Sequence, residues 1–85
     1  MITVKFFDTF RLDSGLKTLE LPGDGQVRTL YPLIMAELHR TRPDSGLTER
    51  DLKSCLIIVN GKSATARTPV KDGDTVYFMT PAAGG

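Results

Sequence analysis

Cysteine and histidine are scarce in this sequence of 85 residues, which contains one of each. The single cysteine, Cys55, excludes an intramolecular disulfide and any metal or iron–sulfur site that needs several thiolates. With His39 as the lone histidine, the residues show no Ser/His/Asp set, no carboxylate pair and no cluster with metal-ligand spacing. The sequence therefore predicts a partner or substrate of an enzyme, with no metal and no catalytic centre of its own.

Long apolar runs are also missing. No stretch approaches the roughly 18 apolar residues of a membrane span. Residues 1–5 lack the basic region and following apolar run of a signal peptide. We therefore expect a cytoplasmic protein that does not enter a membrane.

Charge of one sign is not in excess, because 11 basic and 10 acidic residues give a net charge of +1 and the signs are interspersed. Nucleic-acid binders concentrate basic residues in a patch or stripe, so we expect no nucleic-acid partner. The length allows one domain with a single core. A content of 40% hydrophobic and 25% charged residues is typical of soluble globular proteins.

Three segments have the pattern of strands flanked by turns. Residues 2–7 alternate apolar and polar side chains with period two, which predicts a half-buried strand. A second strand is predicted at 16–21, after a turn at 13–15. β-Branched and aromatic residues predict a last strand at 75–80, after the turn signal at 71–74.

A continuous apolar run at 55–59 predicts a further strand, buried on both faces in the middle of a sheet. Asn60-Gly61 follows it and is the strongest short hairpin signal in the chain. The partner strand of that hairpin is predicted at about 63–67.

One amphipathic helix is predicted, because apolar residues between 27 and 38 recur at helical spacing. Pro32 restricts where it begins. With Thr29 as N-cap, Pro32 takes the third helical position, where its missing N–H costs no intrahelical bond. A start at Val27 would cost about 3 kcal/mol. We therefore predict a regular helix at about 30–40 with an irregular lead-in.

A second, short helical turn is predicted after Thr48, with Asp51 completing a capping box. The predicted order is then strand, strand, helix, strand, short strand, strand. One helix covers one face of a small sheet, so we expect an α+β fold with two layers. The sheet should be mixed, with four to five strands packed against one main helix.

The C-terminal residues Gly84-Gly85 follow Pro81, which ends the last strand because it cannot donate to a ladder. We predict a folded domain over 1–80 and a flexible tail over 81–85. The tail reaches at most ~17 Å when extended. A terminal glycine offers a carboxylate on a backbone without a side chain, around which the narrow active site of another protein can close. The alternative is a frayed terminus of small residues.

Four other sites have plain structural interpretations. His39 is predicted to be solvated near the C-terminal end of the helix, whose dipole favours it. Cys55 is predicted to be an inert, buried hydrophobe. Residues 72–74 lack the spaced ligands of a calcium loop and are predicted to form a turn. Residues 60–62 lack the glycines of a phosphate loop and are predicted to form a hairpin.

Four segments together resemble the MoaD/ThiS family of ubiquitin-like sulfur carriers, which has the β-grasp fold. They are Val4-Lys5-Phe6-Phe7, Val59-Asn60-Gly61, the run from Val70 to Val76 that contains Asp72-Gly73-Asp74, and Ala82-Ala83-Gly84-Gly85. The resemblance covers nearly the whole chain. The sizeable segment between the helix and the central strand is more similar to the small subunit of molybdopterin synthase than to the shorter thiamine carriers.

The resemblance implies a function at the C-terminus. In the family, an E1-like enzyme of the MoeB/ThiF type uses ATP to adenylate the terminal glycine, and a sulfur donor converts it to a thiocarboxylate. Carried over, Gly85 accepts AMP and then sulfur, and Gly84 is the permissive residue before it. The chain itself would be no enzyme and would bind no cofactor. The large subunit of molybdopterin synthase, or another sulfur-acceptor enzyme, would receive the tail.

Docking of these partners is expected on the exposed sheet face and the last strand. The candidate docking residues are Phe78, Met79, Pro81, Ala82 and Ala83. Because Phe78 and Met79 alternate, one of them should face the core. Three alternatives remain open: a ubiquitin-like modifier joined through Gly85 to lysines, a carrier for thiamine or another sulfur-containing metabolite, and a β-grasp binding module whose tail has no role.

Overall fold

The computed structural model describes residues 1–7 and 14–80. The turn residue Asp13 and the predicted tail 81–85 therefore lie outside the described residues. The helical elements are a 3₁₀ helix (Val27–Leu30), α1 (Tyr31–Thr41) and α2 (Glu49–Lys53). The strands are β1 (Ile2–Phe7), β2 (Thr18–Leu21), β3 (Gly25–Gln26), β4 (Leu56–Val59), β5 (Lys62–Ala64), β6 (Pro69–Val70) and β7 (Thr75–Met79).

Five strands form one mixed sheet in the order β2-β1-β7-β4-β5. The central pair, β1 and β7, is parallel and sets Thr3 opposite Thr75 and Phe7 opposite Met79. The pairs β1–β2, β4–β7 and β4–β5 are antiparallel. Strands β3 and β6 form a separate two-stranded pair. This mixed five-stranded sheet with one main helix is the predicted α+β, β-grasp fold.

The core lies between α1 and one face of the sheet. Alternate residues of β1 and β7 are buried there, as the period-two pattern predicts. The rings of Phe6 and Phe78 stack with centroids 5.7 Å apart, and Tyr31 at the start of α1 lies 6.2 Å from Phe78. Ile34 and Leu38, one helical turn apart, are fully buried on the same face of α1. The helix thus covers the centre of the sheet.

The start of the main helix differs from the prediction in one detail. The irregular lead-in exists as a 3₁₀ helix that runs directly into α1, so the N-cap is Leu30, in helical conformation and without a side-chain cap. Thr29 is not the N-cap. Its hydroxyl donates to the carbonyl oxygen of Gln26 at 2.6 Å. Pro32 takes the second helical position, where its missing N–H still costs no intrahelical bond.

The short helix α2 begins as predicted, with a capping box between Thr48 and Asp51. The Thr48 N–H donates to the Asp51 carboxylate at 2.7 Å. Strands β2 and β5 are shorter than predicted. Leu16 is buried but precedes β2, and β5 ends at Ala64, before the turn that leads to β6.

The prediction that β4 is buried on both faces is wrong. Ile57 and Val59 face the core, whereas Leu56 on the opposite face is 55% exposed. In the described part of the chain, α1 and α2 lie on one side of the sheet, and β4 is an inner strand because β5 continues the sheet beyond it. A continuous apolar run therefore marks here a strand with one buried face and one open face.

Candidate functional site

The predicted site lies at the end of β7. Its tail residues Pro81, Ala82, Ala83, Gly84 and Gly85 lie outside the described residues, so their predicted roles stay predictions. The described chain ends at Thr80, one residue after β7. The described part of the site is thus the strand that leads to the tail and the surface around it.

Strand β7 separates the two candidate docking residues that it contains. Phe78 is fully buried against Phe6 and Tyr31 and belongs to the core. Met79 is partly exposed on the open face. Of the pair, Met79 alone therefore lies where a partner could contact it.

An apolar cluster surrounds Met79 on the open face of the sheet. We call it the open-face cluster, and it consists of Phe7, Leu56, Ile58, Tyr77 and Met79. Backbone register brings these residues together, because Met79 is opposite both Phe7 and Leu56, and Tyr77 is opposite Ile58. The rings of Phe7 and Tyr77 make an edge contact at 5.3 Å. Leu56 is exposed and the other four are partly buried, so the cluster is a candidate contact surface.

Sequence reasoning did not name four residues of this cluster. The signal for Phe7 is that it occupies a position of β1 whose neighbours on the same face, Thr3 and Lys5, are polar. Leu56 and Ile58 carried no such signal, because a continuous apolar run does not show which face is open.

Asp74 and Asn60 fix the start of β7, at the other end of the strand from the tail. The Asn60 side-chain amide donates to Asp74 at 2.8 Å and accepts from the Thr75 N–H at 2.9 Å. The Lys71 N–H donates to the other Asp74 oxygen at 2.9 Å. Asn60 and Gly61 have φ of 50° and 83°, as a tight hairpin turn requires. Both predicted turns are confirmed, and hydrogen bonds join them.

These hydrogen bonds make stability depend on pH. The bond from Asn60, followed by that from the Lys71 N–H, lowers the pKa of Asp74 below its ordinary value. A carboxylate with a depressed pKa in the folded state stabilises above its unfolded pKa of about 3.9, and that contribution is lost as the pH falls through the folded value. We expect Asp74→Asn to destabilise the protein at pH 7 and to lose less further stability at pH 3 than the unchanged protein does.

Urea unfolding at pH 7 and pH 3 measures this difference. Asp24→Asn is the matched control, because Asp24 is exposed in the loop after β2. The same acid dependence in both variants would contradict the role assigned to Asp74.

Cys55 is buried beside the sheet, as predicted, and its thiol approaches the Asp51 carbonyl at 3.5 Å. Burial, with a smaller contribution from the Asp51 charge, raises the pKa of the thiol to about 11 from 9.0. His39 is exposed in the last turn of α1. Residues 1–7 and 14–80 contain no group of three or more side chains that could hold a metal ion.

The raised pKa of Cys55 predicts slow alkylation. The thiolate is the reactive form, and a pKa near 11 lowers its population about 100-fold relative to an ordinary thiol. We expect iodoacetamide at pH 8 to modify the folded protein roughly 100-fold more slowly than the protein unfolded in urea. Equal rates, followed by mass spectrometry, would show that the thiol is not shielded.

The ThiS family profile matches residues 4–85, which is nearly the whole chain. The chain belongs to the ThiS family. No curated protein sequence gives a match. In the part of the chain that the structure describes, no helix is long and apolar enough to cross a membrane.

Solved structures agree with the ThiS family assignment. A Pyrococcus furiosus protein provisionally assigned as subunit 1 of molybdopterin converting factor is 28% identical, with a TM-score of 0.62 over 95% of this chain and 97% of that one. CysO in the BexX/CysO complex of Amycolatopsis orientalis is 24% identical, with a TM-score of 0.68 over 100% of this chain and 100% of that one. Small archaeal modifier protein 1 of Haloferax volcanii has 22% identity and a TM-score of 0.63, with coverage of 95% and 97%.

These similarities establish the ubiquitin-like fold of the sulfur carriers for this ThiS family chain. Family members are small carriers and not catalysts, and the neighbour from Amycolatopsis was solved in a complex with another protein. The partner in that complex is a protein, and a protein partner is consistent with a contact surface at the open-face cluster.

Proposed function

We propose that this chain is a sulfur carrier whose Gly85 carboxylate is adenylated by an E1-like enzyme and converted to a thiocarboxylate. The observation that carries the proposal is the ThiS family match, which extends through Gly84 and Gly85. Gly84 lacks a Cβ, so an enzyme can enclose the backbone that leads to the carboxylate.

The chemistry requires activation by a partner. A carboxylate is a poor electrophile, and adenylation gives its carbonyl carbon a good leaving group, AMP. A sulfur nucleophile then attacks that carbon, AMP leaves, and sulfur replaces one carboxylate oxygen. In this proposal the chain is the co-substrate, and the partner enzyme supplies the catalytic groups. We expect the reaction in the cytoplasm, where the partner enzyme has ATP.

The open-face cluster supports docking beside the tail. Met79 is separated from the first tail residue by Thr80 alone. A partner that contacts Met79, Tyr77 and Leu56 would therefore be within reach of a tail whose extended length is at most ~17 Å. We propose that the adenylating enzyme and the sulfur-acceptor enzyme use this surface in turn.

For the sulfur acceptor, we propose the large subunit of molybdopterin synthase, which places the chain in biosynthesis of the molybdenum or tungsten cofactor. The similarity to the Pyrococcus furiosus protein, at 28% identity, supports this branch. Thiamine or another sulfur-containing metabolite remains the alternative product of the same chemistry.

Intact mass of the protein purified from its own host tests the proposal, with fragmentation of the C-terminal peptide. We expect a gain of about 16 Da on Gly85, localised by fragmentation because oxidation of a methionine gives nearly the same shift. An unmodified Gly85 in cells that contain the activating enzyme would contradict the proposal.

A second candidate function is that of a protein modifier joined through Gly85 to lysines. The similarity to small archaeal modifier protein 1 favours it. Both functions need the same activated carboxylate and differ in the nucleophile, which is sulfur for the carrier and an amine for the modifier. Conjugates that survive reducing gels and contain a Gly85–lysine isopeptide would establish the modifier.

Leu56 is expected to contribute to docking. It is 55% exposed and lies opposite Met79, so Leu56→Asp places a charge in the open-face cluster without opening the core. Partner affinity should fall by about tenfold or more, which corresponds to 1.4 kcal/mol. Stability should change by about 1 kcal/mol or less.

Titration calorimetry with the adenylating enzyme measures the affinity. Leu33→Asp is the matched control, because Leu33 is 40% exposed on α1, in the other layer. Equal losses of affinity in the two variants would show that docking does not depend on the open face.

A further inference from the structure

A groove lies at the β5 edge of the sheet, on the helix side and away from the open-face cluster. Its volume is about 740 Å³. Buried or partly buried apolar residues line it, among them Cys55, Ile57 and Ala64. Exposed basic residues line it as well, namely Arg28, Lys53 and Arg67. The groove therefore combines an apolar floor with a cationic rim.

The groove exists because the helical layer does not cover this edge. Helix α1 covers the centre of the sheet, where Phe78 lies, and α2 is one turn and a half long. Strand β5 has three residues, and the chain then turns toward β6. The core-facing side chains of β4 at this edge are thus left beside a gap between α2, the 3₁₀ helix and residues 64–67.

The charge of the groove differs from that of the molecule. Three cationic side chains and one carboxylate, that of Glu49, line the groove, so the net charge of its lining is +2. The net charge of the whole chain is +1. Glu49 lies 3.7 Å from Lys53. Neither Arg28 nor Arg67 has an ion-pair partner among residues 1–7 and 14–80. The Arg28 Nε–H donates to the Gln26 side-chain oxygen at 2.6 Å, so it is the terminal nitrogens of Arg28, together with the Arg67 guanidinium, that we expect to pair with carboxylates from outside.

We propose that this groove binds an acidic segment of a partner protein. An apolar side chain of the segment lies against Cys55, Ile57 and Ala64, and flanking carboxylates pair with Arg28 and Arg67. Guanidinium groups bind carboxylates through two parallel hydrogen bonds, which gives orientation as well as attraction. The groove and the open-face cluster lie on opposite sides of the sheet, so this partner can bind while the sulfur chemistry proceeds.

The shape and chemistry of the groove favour a peptide over a nucleic acid. Its volume is in the range of pockets that enclose small molecules or side chains. Nucleic-acid binders neutralise many phosphates along an extended basic surface, whereas this site offers two arginines, neither with an ion-pair partner among the described residues, around an apolar floor. A free inorganic anion would make no apolar contact with that floor.

A titration of the ¹⁵N-labelled full chain with acetyl-Asp-Glu-Leu-Glu-Asp-amide tests the proposal by NMR. We expect shifts of the amides at 28–31, 55–57 and 64–67, with a dissociation constant of about 1 mM or tighter. The same peptide with Asn and Gln in place of the acids should bind at least about tenfold more weakly, because it lacks the charges.

Charge reversal separates this site from general electrostatic attraction. Arg28→Glu and Arg67→Glu should each weaken the acidic peptide about fivefold or more. Lys17→Glu makes the same change of charge beside β2, at the opposite edge of the sheet, and should leave the affinity unchanged within about twofold. All three positions are exposed, and the dispersion of each variant's spectrum reports whether it is folded.

Three results would overturn the proposal. The first is the absence of shifts at a peptide concentration of several times 1 mM. The second is an equal loss of affinity in Lys17→Glu, and the third is tighter binding of a twelve-nucleotide uridine RNA than of the peptide.

Discussion

A chain shortened by Gly84 and Gly85 is expected to lose all transfer of sulfur and to keep its fold. The described core ends at Phe78, so removing two residues beyond Thr80 leaves every buried side chain in place. The carboxylate would then belong to Ala83, whose Cβ narrows the choice of backbone conformations. ATP–pyrophosphate exchange catalysed by the adenylating enzyme should fall to background, while the thermal midpoint should shift by less than about 2 °C.

Gly85→Ala is the matched variant for this test, because it keeps the length of the tail and adds one methyl group. Its exchange activity should lie between that of the shortened and the unchanged chain. If the shortened chain supports cofactor synthesis at the normal rate, the tail has no role and the chain is a β-grasp binding module.

The second large effect is expected at Phe78, whose truncation should remove a large part of the free energy of unfolding. Phe78 is fully buried and contacts Phe6 and Tyr31 at the centre of the core. Phe78→Ala should cost about 3–5 kcal/mol, because it removes a large apolar surface and leaves a cavity. Domains of this kind have a total stability of roughly 5–15 kcal/mol, so the loss is a large part of the whole.

Met79→Ala, one residue further along β7, should have a small effect on stability and a larger effect on partner binding. Met79 is partly exposed on the open face. Its truncation should cost about 1 kcal/mol or less in stability and should weaken binding to the adenylating enzyme. Urea unfolding and titration calorimetry on both variants give the two quantities. A larger stability loss for Met79→Ala than for Phe78→Ala would contradict the assignment of the two faces.

Much of this fold follows from local signals in the sequence. The alternation in β1, the helical spacing around Ile34 and the Asn60-Gly61 turn each predicted the element that the structure contains. These signals are sufficient to identify the elements, because apolar residues at period two indicate a strand and those at period 3.6 indicate a helix. Asn-Gly likewise indicates the left-handed conformation of a tight hairpin turn. The capping box at Thr48 is local in the same sense, since its two partners are three residues apart.

The remaining features depend on contacts distant in sequence. The β3–β6 pair joins Gly25 to Val70 and has two residues a side, too few for a periodic pattern. The open face of β4 depends on which layers cover the sheet, which a single strand does not encode. For the same reason, Leu56 was interpreted as core although it is a surface residue. The expectation that β7 takes part in docking stays a prediction, and the apolar neighbours of Met79 on β1 and β4 were not foreseen.

The parallel pairing of β1 with β7 has a consequence for how the chain folds. Thr3 pairs with Thr75, so the two central strands come from nearly opposite ends of the sequence. Closing so long a loop is entropically unfavourable until many contacts form together, and such pairings slow folding. During synthesis, β1 has no central partner until residues 75–79 have been made. A chain that stops short of β7 therefore lacks the middle of its sheet, and only a chain that has passed this point can display the tail on a finished domain.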